Sequence, residues 1–214
     1  MLVALAGVAA AAPPTGRVVG KVTIADPDGK PVDAEAIIYV LGFTEPAPPN
    51  AAPTSISQKD RAFVPDLVAI TVGETVSFPN RDPFLHNVFS QSAARKFDLG
   101  SFKKDEQKSK DFPDPGVIDV YCNIHPEMAA TIIVVPNRAH TRRNHDGSFV
   151  IDRVPPGKWQ VFAYARRTKP VSTWVTVTAG QDAHADLALA RGAAETHLNK
   201  YGEKYHDTGT TTYH

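Results

Sequence analysis

Residues 117–128 read VIDVYCNIHPEM and contain the only cysteine of the chain. The first half of this stretch alternates its side chains between two faces, which predicts a β-strand that is buried on one side. Ile118, Val120 and Cys122 share the apolar face, so we expect the thiol to point into a β-sandwich at the end of a strand. The loop that follows contains His125.

Short strand-like runs separated by turn residues continue on both sides of this stretch and predict an all-β fold. Runs of this length and spacing are typical of a Greek-key β-sandwich. The 18 prolines and 14 glycines are scattered along the chain, as expected for a β-rich protein with many turns. The runs of the central region are Ile56–Val64, Leu67–Val72, Thr75–Phe78, Leu85–Ser90, Arg95–Leu99, Val117–Cys122 and Thr131–Val135.

The length and charge of the chain limit its organisation and its partners. With 214 residues there is room for one large or two small domains, each with its own core. The 23 basic and 23 acidic residues give a formal charge of zero. This balance argues against a nucleic-acid partner or an anionic membrane, both of which require a basic surplus.

The first residues indicate export. The apolar run of residues 1–12 is shorter than the about 20 residues that a membrane-spanning helix needs, and it ends in small residues before Pro13 and Pro14. This pattern predicts a signal-peptide-like segment and therefore a periplasmic or secreted protein without a transmembrane segment. No basic residue precedes Arg17, so a disordered alanine-rich tail is the alternative.

The single thiol is the starting point for a metal-site hypothesis. An exported chain with one cysteine cannot form an internal disulfide, and a bound metal would protect its thiol from oxidation. A type 1 copper centre requires two imidazoles, one thiolate and a weak thioether ligand. The motif Cys122-x2-His125-x2-Met128 supplies three of these donors, and His86 in the segment PNRDPFLHNVFS supplies a second imidazole. A lone cysteine is usually a small buried side chain, and a histidine or methionine can lie near it by chance. Together, however, these residues predict one copper ion.

Other copper centres require residues that this sequence lacks. A binuclear purple centre needs two cysteines and a trinuclear cluster needs His-x-His pairs, whereas the chain has one cysteine and no such pair. The remaining histidines have no comparable context, and we expect them to be solvated. They are His140, His145, His184, His197, His206 and His214.

The segments QKDRAFVPDLVAITVGETVSFPNRDPFLHNVFS and GVIDVYCNIHPEM resemble those of a cupredoxin with a short, amicyanin-like ligand loop. Together with FDLG and DGSFVIDRVPPG, they resemble the methylamine-utilisation-protein-like group of secreted cupredoxins, although that name implies no particular activity. The resemblance implies the copper ligands His86, Cys122, His125 and Met128. It also implies that Asn87 ties the two ligand segments together by hydrogen bonds. Glu127 would give a red-type centre in place of Met128, but Met128 has the spacing of the family.

The two segments that flank the predicted cupredoxin domain, residues 52–137, look like two parts of one further domain. Residues 16–47 and 138–190 are similar to the opening and closing parts of a carboxypeptidase regulatory-like (transthyretin-like) β-sandwich. We therefore expect one discontinuous sandwich with the cupredoxin inserted in it, the alternative being modules in series. Residues 191–214 are predicted to form a polar C-terminal tail.

These features predict a mononuclear type 1 copper protein that transfers single electrons between protein redox partners. We expect it not to be an enzyme, because the ligand set leaves no open position for a substrate. Electrons are expected to leave through His125, and Pro126 and Phe84 are expected to form a small apolar docking surface around it. We expect the protein to be a monomer that docks transiently on its redox partners. The alternatives are copper sequestration or delivery, and a surface module with a structural copper site.

Overall fold

The structure of the chain is a computed structural model that describes residues 14–193 and 196–205. The predicted signal-peptide-like segment, residues 1–12, lies outside the described residues. The regular elements of the described part are all β-strands, which confirms the predicted all-β class, and none of its segments is a helix long and apolar enough to cross a membrane. The strands are β1 (Gly16–Ala25), β2 (Ala36–Leu41), β3 (Thr54–Ser55), β4 (Ser57–Lys59), β5 (Ala62–Val64), β6 (Leu67–Thr71), β7 (Thr75–Pro79), β8 (His86–Ser90), β9 (Phe97–Phe102), β10 (Gln107–Asp111), β11 (Gly116–Tyr121), β12 (Ala129–Val135), β13 (His140–Arg142), β14 (Ser148–Val154), β15 (Gly157–Ala165), β16 (Val171–Val177), β17 (Asp182–His184) and β18 (Leu187–Ala190).

The central strands form a sandwich around one apolar core. A five-stranded sheet has the order β6-β12-β11-β8-β9, and a three-stranded sheet has the order β10-β7-β3. Side chains from both sheets, among them Phe78 and Ile132, pack into a single buried cluster. Ile118, Val120 and Cys122 are fully buried in this cluster, so the alternation predicted for the strand is confirmed.

The strands before and after the central region pair with each other. β1 pairs with β14, β17 and β18, and β2 pairs with β13 and β15, which itself pairs with β16. A second apolar cluster joins side chains of these strands, and a smaller third cluster that includes Tyr39, Leu67 and Ile133 lies where they meet the central sandwich. The predicted division into two domains, one of them discontinuous, is compatible with this pairing and stays a prediction.

Candidate metal centre

The sheet brings the two predicted ligand segments together. β8 begins at His86, and its residue Phe89 pairs with Tyr121, the residue before Cys122. The loop from Cys122 to Met128 is closed by two backbone hydrogen bonds, from the Cys122 amide to the Met128 carbonyl at 3.3 Å and from the Met128 amide to the His125 carbonyl at 3.1 Å. The tight turn therefore returns His125 towards the end of the neighbouring strand.

Three of the four predicted ligands converge. The Cys122 Sγ atom lies 3.8 Å from His86 Nδ1 and 3.7 Å from His125 Nδ1, and the two Nδ1 atoms are 3.1 Å apart. His86 and Cys122 are fully buried, whereas His125 is partly exposed. An ion about 2.0 Å from each nitrogen and about 2.2 Å from the sulfur satisfies these separations, and such distances are usual for imidazole and thiolate ligands of first-row metals.

The two imidazoles and the thiol direct their donor atoms to one point. Asp82 Oδ2 lies 2.8 Å from His86 Nε2, and because a carboxylate accepts, Nε2 donates this bond and Nδ1 faces the cluster. A second ring nitrogen at 3.1 Å and a thiol sulfur face the same point. Lone pairs converging in a buried space repel one another unless a proton or a metal ion is shared, so the donor set fits a metal.

Asp82 lies behind His86 and is not among the predicted site residues. It is 4% exposed, and its carboxylate accepts hydrogen bonds from the backbone amides of Asp60 at 2.7 Å and Arg61 at 3.0 Å. Burial alone would raise the pKa of this carboxyl, but these amides and His86 hold the pKa below its usual value. A fixed, ionised carboxylate behind a ligand imidazole sets the orientation of the ring and its tautomer.

The electrostatics of the metal-free cluster favour neutral donors. Burial raises the pKa of the Cys122 thiol, although the backbone amides of Asn87, Ile124 and His125 that point to the sulfur act in the opposite direction. Burial, together with the charge of a protonated His86, lowers the pKa of His125. Both effects penalise a net charge inside the site. A metal ion removes the penalty for the thiolate because it supplies the compensating positive charge.

The partly exposed side of the cluster is lined mainly by apolar side chains. The Phe84 ring packs against both imidazoles, with centroid distances of 5.2 Å to His86 and 5.4 Å to His125. Leu85 and Ile124, which are next in sequence to Phe84 and His125, are 47% and 44% exposed, and the exposed Arg61 guanidinium lies 5.3 Å from the centroid of the Phe84 ring. The predicted docking residue Pro126 is exposed on the same loop. The rim thus combines a partly exposed predicted ligand, His125, with several apolar side chains.

The remaining predicted residues lie close to the cluster. Met128 is 1% exposed and packs in the same apolar cluster as Cys122, while Glu127 is exposed, and the assignment of Met128 as the axial ligand stays a prediction. The Asn87 amide Nδ2 donates to Asp98 Oδ1 at 2.7 Å, whereas its Oδ1 is buried and has no hydrogen-bond partner among the described residues. The backbone amide of Asn87 points to the Cys122 sulfur, and a tie between the two segments through the Asn87 side chain stays a prediction.

The other histidines are not all solvated. His184 and His145 are exposed, the latter paired with Asp33, while His140 is largely buried and lies 3.5 Å from the Thr71 hydroxyl. His197 differs most from the expectation, because its ring stacks on a tyrosine beside the metal-binding loop. His206 and His214 lie outside the described residues.

No family model and no curated protein matches the chain. Among solved structures, a Cu-containing nitrite reductase (NirK) from Thermus scotoductus SA-01 is similar at 25% identity and a TM-score of 0.38, over 42% of this chain and 25% of the reductase chain. An amicyanin variant in its Cu(I) form matches at 20% identity and a TM-score of 0.37, over 45% of this chain and 97% of its own. A purple cupredoxin from Nitrosopumilus maritimus matches at 24% identity and a TM-score of 0.35, over 38% of this chain and 98% of its own. Each match covers less than half of this chain, and the chain spans only a quarter of the reductase.

Proposed function

We propose that this chain is a mononuclear type 1 copper protein that transfers single electrons between redox partners. The observation that carries the proposal is the buried triangle of His86 Nδ1, Cys122 Sγ and His125 Nδ1. Two imidazoles and one thiolate, with Met128 as a weak fourth donor, are the ligand set of a blue copper site. When bound, copper supplies a one-electron couple that none of these side chains has by itself.

The residues around the triangle keep the donors in place when the charge of the site changes. His86 begins β8 and Cys122 directly follows the neighbouring strand β11, and both side chains are fully buried. Asp82 fixes the His86 ring from behind through its bond to Nε2. Because packed interiors resist displacement, donors held in this way move little between the two oxidation states, and electron exchange is correspondingly fast.

His125 is the proposed point of electron exchange. It is the one ligand of the triangle with an exposed edge, and Phe84, Leu85, Ile124 and Pro126 surround it with a small, largely apolar rim. A rim of this kind suits weak and brief docking of a protein partner, because little polar surface must be desolvated. We propose accordingly that the chain acts as a periplasmic or secreted monomer and has no enzymatic activity.

We assign no chemical role to the strands that flank the central sandwich. β1 and β2 form sheets with the strands that follow β12, and we propose that these sheets are a carboxypeptidase regulatory-like scaffold for the copper domain.

A redox-cycling experiment separates an electron carrier from a copper donor. Copper-loaded protein is reduced and reoxidised repeatedly in the presence of a copper chelator, and the retained copper is measured after each cycle. The proposed carrier keeps its copper through the cycles because three donors are buried or partly buried and one is oriented by Asp82. Rapid loss of copper to the chelator in the first cycle would favour delivery or sequestration instead.

A further inference from the structure

The C-terminal segment, residues 197–205, lies against the metal-binding loop and contacts it along its length. The Tyr205 hydroxyl donates to the carbonyl oxygen of Cys122 at 2.9 Å, and His197 Nε2 donates to the carbonyl oxygen of Pro126 at 2.7 Å. Between them, the backbone amide of Lys200 donates to Asn123 Oδ1 at 3.0 Å. The segment therefore binds the loop near its beginning and near its end.

Aromatic packing fixes the segment on the flank of the ligand strand. The His197 ring is stacked on Tyr121 with a centroid distance of 3.9 Å and an interplanar angle of 19°. Tyr205 contacts His197 edge-on, at 5.2 Å and 86°. Two tyrosines thus pack against one histidine next to Cys122.

The same segment reaches the strand of the other ligand. Lys200 Nζ forms an ion pair with Asp98 Oδ2 at 2.8 Å, and Asp98 Oδ1 accepts from Asn87, the residue after His86. The carbonyl of Lys200 accepts a further bond from Gln91 at 2.8 Å. Through Lys200 a continuous set of polar contacts therefore connects the His86 segment with Asn123 in the loop.

We propose that residues 197–205 form a strap that positions the metal-binding loop and restrains its opening. Tyr205, His197 and Lys200 act as positioning residues, because each holds a backbone or side-chain group of the loop and none touches a donor atom of the triangle. These contacts join protein groups directly and need no metal ion. When the site is loaded, as the proposed function requires, it slows the exchange of metal and keeps the loop carbonyl of Cys122 in one orientation.

The reactivity of the single thiol tests the strap without metal. Cys122 is fully buried, so a disulfide reagent such as 5,5′-dithiobis(2-nitrobenzoate) reaches it only when the loop opens. In the full metal-free chain, Tyr205→Phe keeps the ring and removes one hydrogen bond, which should raise the reaction rate about 2- to 12-fold. His197→Phe keeps a ring on Tyr121 and should give a rise of similar size. The rate increase should persist in urea well below the unfolding midpoint, because opening of the loop exposes little surface compared with global unfolding.

Tyr201→Phe is the matched control, because it removes a hydroxyl from the same segment where the side chain is 72% exposed. Its thiol should react at the wild-type rate. Equal rates for Tyr205→Phe, His197→Phe and Tyr201→Phe would overturn the strap, as would a thiol reaction whose rate rises steeply with urea in parallel with global unfolding. In copper-loaded protein, a shift of the sulfur-to-copper band in Tyr205→Phe but not in Tyr201→Phe gives a second readout. A wild-type protein without that band would refute the proposed copper function and leave the thiol result unaffected.

Discussion

Replacing Asp82 by Asn should weaken metal binding although no donor atom is removed. The carboxylate accepts from two backbone amides and from His86 Nε2, and an asparagine can present only one oxygen to these donors. If that oxygen faces an amide, the new NH₂ group faces His86 and favours the tautomer with its proton on Nδ1. That proton points to Cys122 and His125, and a metal ion must displace it.

The size of the effect follows from the burial and the charge of the contact. Asp82 is 4% exposed, and a hydrogen bond to an ionised group in such a position contributes about 1.5–3 kcal/mol. Losing a partner of a ligating histidine costs about 10- to 100-fold in metal affinity, which corresponds to about 1.4–2.7 kcal/mol. The two ranges agree. We therefore expect Asp82→Asn to bind copper about 10- to 100-fold more weakly than the wild-type chain.

Competition with a Cu(I) chelator measures this loss, and Asp105→Asn supplies the control. Asp105 forms an exposed ion pair with Arg81 at 3.7 Å, so its replacement removes a carboxylate from the same region without touching His86. Exposed pairs of this kind contribute about 0–1 kcal/mol, and we expect an unchanged copper affinity. If the Asp82 and Asp105 variants competed equally well for copper, the argument that Asp82 orients His86 would be refuted.

Three further predictions concern the ligands and the domains. Met128→Gln should still bind copper and stay coloured but with a lower reduction potential, because an amide oxygen favours Cu(II); an unchanged potential in voltammetry would exclude Met128 as the axial ligand. His86→Ala and His125→Ala should both weaken binding in chelator competition, and only His125→Ala should also slow electron self-exchange; equal exchange rates would contradict an exit at His125. Residues 52–138 should fold and bind copper alone. A chain that keeps the N-terminal strands but ends at Asn137 should aggregate, because β1 and β2 lose their partner strands. If that truncated chain were soluble and compact in size-exclusion chromatography, modules in series would be favoured.

The convergence of Cys122 and His125 could be predicted from sequence because their pattern is local. The period-2 alternation places Cys122 on the buried face together with Val120, and the structure confirms that burial. The spacing to His125 lies within one loop. His86 required one further inference, namely that a sandwich would bring a second strand end to the thiol, and the pairing of β8 with β11 provides this neighbour.

Asp82 and the strap could not be predicted because their partners are set by tertiary packing. Asp82 stands four residues before His86 in a proline-containing loop, and no periodicity shows that its carboxylate turns back to the ring. Tyr205 is separated from its partner Cys122 by 83 positions and lies in a polar segment without a hydrophobic pattern. A composition that predicts a solvated tail cannot reveal that one histidine and one tyrosine of the tail dock on the loop.

The visible spectrum of the copper-loaded chain, recorded beside that of Cys122→Ser, tests the copper assignment most directly. The Cys122 sulfur lies within 4 Å of both Nδ1 atoms, at 3.8 Å and 3.7 Å, so a bound Cu(II) ion should show an intense sulfur-to-copper charge-transfer band. The band should vanish on reduction and be absent from Cys122→Ser, because a hydroxyl is a poor soft donor. A Cys122→Ser protein that keeps the band, or a wild-type chain that binds copper without it, would contradict the assignment.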